Sequence, residues 1–292
     1  MDRSGFTQLE LLVALTIVGL LSAVGLSAVQ RAREASRRTQ CVNNLRQIGV
    51  AMHNFQVQHG LFPASLSQPY YDLAQGMGLS SRFSDSRLPS GERVLHCPSD
   101  LEGTVFLSMS YRLNNGLIFH EHSQYQGWGG GYVGEGRRPA DFTDGLSVSA
   151  AYAEKLLMPR GSLEIMQLYP ERLPWWTEQR IEPHADHRSQ FLEECLKRRT
   201  SPFPRAVIMP GIDVNDIYDH TLPPNRIGCW NGPPEDWGPH DPQLLPASSL
   251  HGGGVNVLFA DGHVSFVSDN VALEVWQAFG TIAGQEPISG EY

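Results

Sequence analysis

Four sets of side chains in this 292-residue chain are of the right type for site chemistry: the cysteines, two histidine-containing groups and a run of aspartates. His251 and Asp261-Gly262 invite a metal reading. Ten residues of strand between them would hold them ~30 Å apart, too far to share an ion. A structural role follows instead, with Gly262 supplying a positive φ and His251 capping or packing near a strand start. His184-Ala185-Asp186-His187 places oxygen and nitrogen ligands close together, but no third ligand follows at a recognisable spacing. Asp213, Asp216 and Asp219 are weak calcium candidates without the Asp-x-Asp-x-Asp-Gly order of an EF-hand loop, so the expectation is no metal and no cofactor. The glycine-rich stretch 127–136 lacks the Gly-Lys-Ser/Thr of a phosphate loop. No Gly-x-Ser-x-Gly or His-Glu-x-x-His motif is present, and the chain is not expected to be an enzyme. Trp175, Trp176, Trp230 and Trp237 fit either a sugar-binding platform or ordinary burial.

The most unusual ionisable residue is Glu10. From Leu11 to Val29 no residue is charged, and with Phe6 to Leu9 the apolar run reaches roughly 20 residues, enough to cross a ~30 Å hydrocarbon layer as a helix. A carboxylate one turn inside that run costs a few kcal/mol unless it is paired. Cleavage after Gly5 would create an amine on Phe6, four positions before Glu10. The amine could neutralise Glu10 within one chain, or between neighbouring chains offset along the helix axis.

Gly5-Phe6-Thr7-Gln8-Leu9-Glu10 ahead of a hydrophobic helix resembles the class III signal of type IV prepilins and type II secretion pseudopilins. The resemblance implies that a prepilin peptidase cuts between Gly5 and Phe6 and methylates the Phe6 amine. It also makes Glu10 the assembly glutamate. Gln8 stands where leucine is more usual.

The overall charge of −9 gives no electrostatic reason to bind nucleic acid. Cys41, Cys97, Cys195 and Cys229 contain no Cys-x2-Cys pair, so disulfides are favoured over zinc in an exported head. Arg31, Arg33, Arg37 and Arg38 follow the apolar run, and the positive-inside rule taken alone would keep the far side cytoplasmic. The prepilin-like signal and the cysteines outweigh it and place the head outside the cytoplasm.

The elements that position these residues begin with the helix itself. Cys41, Leu45, Ile48, Met52 and Phe55 form an apolar stripe at helical spacing, and Gly60 and Pro63 mark its end. A helix from Phe6 to His59 would be ~80 Å long, half in lipid or a filament core and half a spine for the head. Gly19, Ser22, Ala23, Gly25 and Ala28 fit close helix approach or plain lipid packing equally well. Beyond Pro63, strands are expected at 94–97, 105–113 and, as strand or short helix, 149–158. Most prolines fall in 159–250, which reads as an irregular insertion. Val255–Ala260 and His263–Val267 alternate about Asp261-Gly262, which predicts a two-residue type I′ hairpin pairing Phe259 with Val264. Val255, Val257, Phe259, Val264 and Phe266 would then face the spine. A final helix is expected over 271–279. Four cysteines allow three connectivities; Cys41 on the stripe with Cys97 at a strand end, and Cys195 with Cys229, are the pairs expected.

His251, nine residues and Asp261-Gly262 match an H-x9-DG box typical of a bacterial family of prepilin-like proteins. Cys41–Gly49, Cys97–Asp100, Thr143–Gly145 and Asp219–Asn225 are similar pieces in the same order. The expected architecture is α+β: a leader over 1–5, a transmembrane and assembly helix over 6–30 and a helical spine over 31–60. An extracytoplasmic head over 61–292 follows, mainly antiparallel, with its insertion at 159–250 and the box hairpin at 251–267. The resemblance implies a pilin-like or pseudopilin-like subunit on the bacterial inner membrane, with prepilin peptidase and other pilin-like subunits as partners. The alternative is a membrane-anchored module binding carbohydrate or calcium.

Overall fold

The computed structural model describes residues 7–63, 93–100, 109–117, 136–157, 175–182, 187–197, 217–232 and 243–284. Gly5, Phe6, His184, Asp186, Asp213, Asp216 and Trp237 lie outside the described residues, as do the expected strand positions 105–108 and the stretch 127–135.

One helix, α1 (Gln8–His59), runs unbroken for 52 residues. Thr7 starts it: its side chain accepts from the Glu10 amide, and Glu10 reaches back to the Thr7 amide, a reciprocal capping box. Gly60 ends it in the left-handed conformation, φ 77°, with its N–H donated to Gln56 O. The apolar window inside α1 is bare of head contacts and, by length and composition, suffices to cross a membrane. Contact with the head begins at half-buried Glu34, and full burial begins at Cys41.

The main sheet has the order β4-β1-β2-β7-β8. Its strands are β1 (Tyr111–Asn114), β2 (Ala150–Glu154), β4 (Ile217–Tyr218), β7 (Gly254–Phe259) and β8 (Val264–Ser268). All neighbours are antiparallel except β1 and β4. The architecture is therefore α+β, a long helix on a mostly antiparallel sheet. A smaller sheet, β3 (Trp175–Trp176), β5 (Cys229–Trp230) and β6 (Gln243–Leu244), lies in the proline-rich stretch. The same stretch holds α2 (Arg188–Leu196) and also lends β4 to the main sheet. The last helix is α3 (Leu273–Gly280).

Two apolar layers flank the main sheet. On one side Cys41, Leu45, Ile48, Ala51 and Met52 of α1 meet Tyr111, Leu113, Tyr152, Leu258 and Ala260. On the other, Val255, Val257, Phe259 and Val267 meet Val275, Trp276 and Phe279 of α3. The Val255/Val257/Phe259 face thus packs on α3, not on the spine as the sequence suggests.

The hairpin also differs by one residue, which parts Val264 and Phe266 from that face. Leu258 pairs with Val264, and Val257 with Ser265. Gly262 donates to Phe259 O at 2.9 Å and Phe259 to His263 O at 2.9 Å, so Ala260, Asp261 and Gly262 form a three-residue loop. This is a type I turn closed by Gly262 at φ 93°, instead of a two-residue type I′ turn. A one-residue slip turns every side chain of β8 over relative to β7. Val264 and Phe266 therefore share the Leu258 side and do face α1, where Arg38 lies over the Phe266 ring. Residues 93–95 likewise form a single 3-10 turn where a strand was expected, before Pro98 and Ser99 turn the chain.

Candidate functional site

Both expected disulfides are present, Cys41–Cys97 and Cys195–Cys229. The first welds the spine to the head one helical turn before Leu45 and Asn44 enter the core. Asn44 adds a bond to His96 O at 3.0 Å and one to the Tyr111 hydroxyl at 3.1 Å. The second ties the end of α2 to β5, around Phe191, Ile181, Leu222 and Leu244.

Around the first disulfide several ionisable side chains come together. His251, almost wholly buried just before β7, points Nδ1 at Glu34 Oε1 of α1 at 2.6 Å. Its Nε2 lies 3.2 Å from Glu154 Oε1, at the end of β2, and 3.5 Å from Cys97 Sγ. Each carboxylate is itself held. Glu154 accepts from the Asn256 amide at 2.8 Å and from Asn256 Nδ2 at 3.0 Å; Glu34 accepts from Arg37 and from Ser99 Oγ. Burial alone would lower the His251 pKa, but the hydrogen bonds and charges of Glu154 and Glu34 outweigh it and raise it above the ordinary imidazole value. Burial would raise the Glu34 pKa, and the contacts with His251 and Arg37 reverse that and lower it. His251 is therefore an ionic bridge from the spine helix, through the start of the hairpin, to the centre of the sheet.

Among the described residues, Cys41, Cys97, Glu154 and His251 bring their ligand atoms within 4.8 Å of one another, all four buried. His251 and Asp261 are not brought together: Asp261 accepts from the His263 amide at 3.0 Å and from His263 Nδ1 at 2.6 Å, so it shapes the hairpin loop. Asp219, the described member of the aspartate trio, is fully committed elsewhere. Its buried carboxylate accepts from the Thr221 amide at 2.9 Å and from the Leu245 amide.

A family model described as a protein of unknown function, DUF1559, matches residues 30–71 and 80–274. The chain belongs to the DUF1559 family. Comparison with curated proteins and with solved structures finds no match. In this DUF1559 chain the five residues of the spine–head junction, Glu34, Cys41, Cys97, Glu154 and His251, all fall within the matched residues.

The motif pieces singled out in the sequence act in this DUF1559 chain as hydrogen-bond hubs of the loops. Asp100 accepts from Ser110 Oγ at 3.2 Å and from the Leu157 amide at 2.9 Å. Asp144 accepts from the Gly284 amide at 2.8 Å. Asn225, at φ 59°, donates to Asp269 at 2.7 Å and accepts from the Ser249 amide at 2.7 Å. The sequence does not single out Glu34 or Glu154. Only the fold joins Glu34 to a histidine 217 positions away.

Proposed function

We propose that the chain is a structural, non-catalytic subunit of a pilin-like or pseudopilin-like filament, exported and processed by a prepilin peptidase at the bacterial inner membrane. The observation that carries this is the division of α1. One unbroken helix is bare and apolar in its first half, then is fixed to a disulfide-bonded head from Glu34 onward. Such a helix can anchor a monomer in lipid and later pack against the same helix of neighbouring subunits, carrying its head outside. The two disulfides favour an oxidising compartment for that head.

Glu10 needs a more exact account than its sequence allows. Its carboxylate closes the Thr7 capping box, which satisfies part of its hydrogen-bonding capacity within the chain. Its negative charge is not neutralised by Thr7, so the need for a cation, the Phe6 amine of a neighbour, persists in a low-dielectric bundle. The processing step is tested by the intact mass of the chain extracted from membranes. Loss of Met1 to Gly5 and gain of one methyl group supports it, and an unprocessed mass refutes it.

A further inference from the structure

We propose that Cys41, Cys97, His251 and Glu154 form a zinc site whenever the two cysteines are reduced, so that a zinc ion and the disulfide are alternative closures of one spine–head junction. The donor set is two thiolates, one imidazole and one carboxylate, which suits tetrahedral zinc. Zinc bonds of ordinary length place neighbouring nitrogen and oxygen ligands about 3.4 Å apart and nitrogen and sulfur about 3.6 Å apart. Here His251 Nε2 stands 3.2 Å from Glu154 Oε1 and 3.5 Å from Cys97 Sγ. The Cα atoms of Cys41 and Cys97 are 5.3 Å apart, and rotation of the side chains can open their sulfurs to the about 3.8 Å expected on zinc.

The surroundings provide the support that a metal-bound histidine requires. A ligating imidazole commonly donates its second N–H to a carboxylate, which fixes the tautomer and turns the other nitrogen to the metal. Glu34 Oε1 occupies that position at 2.6 Å from Nδ1, leaving Nε2 as the ligand. Glu34 is steadied in turn by Ser99 and Arg37, and Glu154 by the Asn256 amide. All four ligands are buried, the closed form of a structural site.

No reductant is required to reach the zinc form, because the chain is made with free thiols. Zinc binding sends two thiol protons to solvent, together with the Nε2 proton of His251 where the ring is charged. A disulfide donor then converts one form to the other: the two sulfurs of Cys41 and Cys97 lose two electrons and join, the donor's disulfide takes the electrons and two protons to become two thiols, and Zn2+ leaves.

The full chain in detergent, reduced with a trialkylphosphine, tests this. The phosphine takes oxygen from water as the disulfide gains two electrons and two protons. Zn2+ is then added and unbound metal removed by gel filtration. The reduced wild type, and a Cys195→Ser/Cys229→Ser variant, should each retain stoichiometric zinc, and the oxidised chain none. Co2+ in place of zinc should give thiolate-to-metal charge transfer and tetrahedral bands. Glu34→Gln, which leaves every ligand in place, should weaken affinity by about 10–100-fold. Reduced chain that unfolds without zinc and refolds with it supports the site. Absence of zinc retention, retention that survives Cys41→Ser/Cys97→Ser, or retention lost with Cys195 and Cys229 overturns it.

Discussion

His251 Nδ1 lies 2.6 Å from Glu34 Oε1, which joins the hairpin's first buried residue to the point where the spine helix leaves its bare segment. The opposite ring nitrogen faces Glu154 in the sheet, so one side chain links helix, sheet and disulfide.

The two carboxylates should not be equivalent. Breaking a buried ion pair by removing one partner costs about 3–5 kcal/mol, and Glu154→Ala should approach that range because it also orphans the Asn256 amide. Glu34 is partly open to water, so Glu34→Ala should cost about 1–2 kcal/mol. Urea unfolding of the detergent-solubilised chain measures both. Equal effects, or a Glu154 effect no larger than that of exposed Glu274→Ala, would contradict the bridge.

A second histidine sets the response to acid. His220 is buried in the layer beside α3, stacked on Trp276 with ring centroids 4.0 Å apart. Its Nδ1–H donates to Trp276 O at 2.7 Å, and its Nε2 accepts from the Tyr218 hydroxyl at 2.8 Å, an arrangement for the neutral ring. Burial lowers its pKa to about 3, against the Trp276 bond that raises it; the adjacent Asp219 is also buried. A depressed histidine pKa means that the unfolded chain takes up the proton first. The contribution of His220 is therefore full above pH ~6.5 and falls by up to about 1.4 kcal/mol per pH unit from there towards pH 3. His220→Gln, which cannot titrate, should flatten the part of the pH–stability curve just below pH 6.5. An unchanged slope there would contradict the assignment.

The hairpin loop offers a backbone test. Gly262 sits at φ 93°, and a Cβ there would stand 3.3 Å from His53 Nε2. Gly262→Ala should cost about 1–2 kcal/mol, and Gly262→Asn less, because asparagine tolerates the left-handed region better. Thermal unfolding midpoints should fall in that order. An alanine variant as stable as wild type would show that the loop can adopt another turn.

How far the sequence reveals these relationships depends on their range. The helix is legible from Leu11 to Val29 and from the stripe Cys41 to Phe55, because both patterns are local, and Gly60 stops it where its type predicts. Both cysteine pairs are legible as well. The hairpin is visible in Asp261-Gly262, but that dipeptide suits a type I′ turn and also a type I turn with a glycine bulge. The choice between them decides which β8 residues share a face with Val255, Val257 and Phe259, and which of the two apolar faces of β7 meets α1 is set by packing against α1 and α3. Glu34 and Glu154 are opaque in sequence because their roles depend on burial created by other elements. In composition, each is an ordinary glutamate.

Interchain crosslinking between cysteines introduced on the bare half of α1 tests the filament account most directly, comparing wild type with Glu10→Gln and Glu10→Leu. Glutamine at this position can still complete the Thr7 capping box, so Glu10→Gln removes the charge and keeps the helix start. The account predicts intact expression, processing and head disulfides, with crosslinks between neighbouring helices lost in both variants. Wild-type crosslinking in Glu10→Gln, with loss only in Glu10→Leu, would show that Glu10 serves the helix cap alone and would contradict the assembly role.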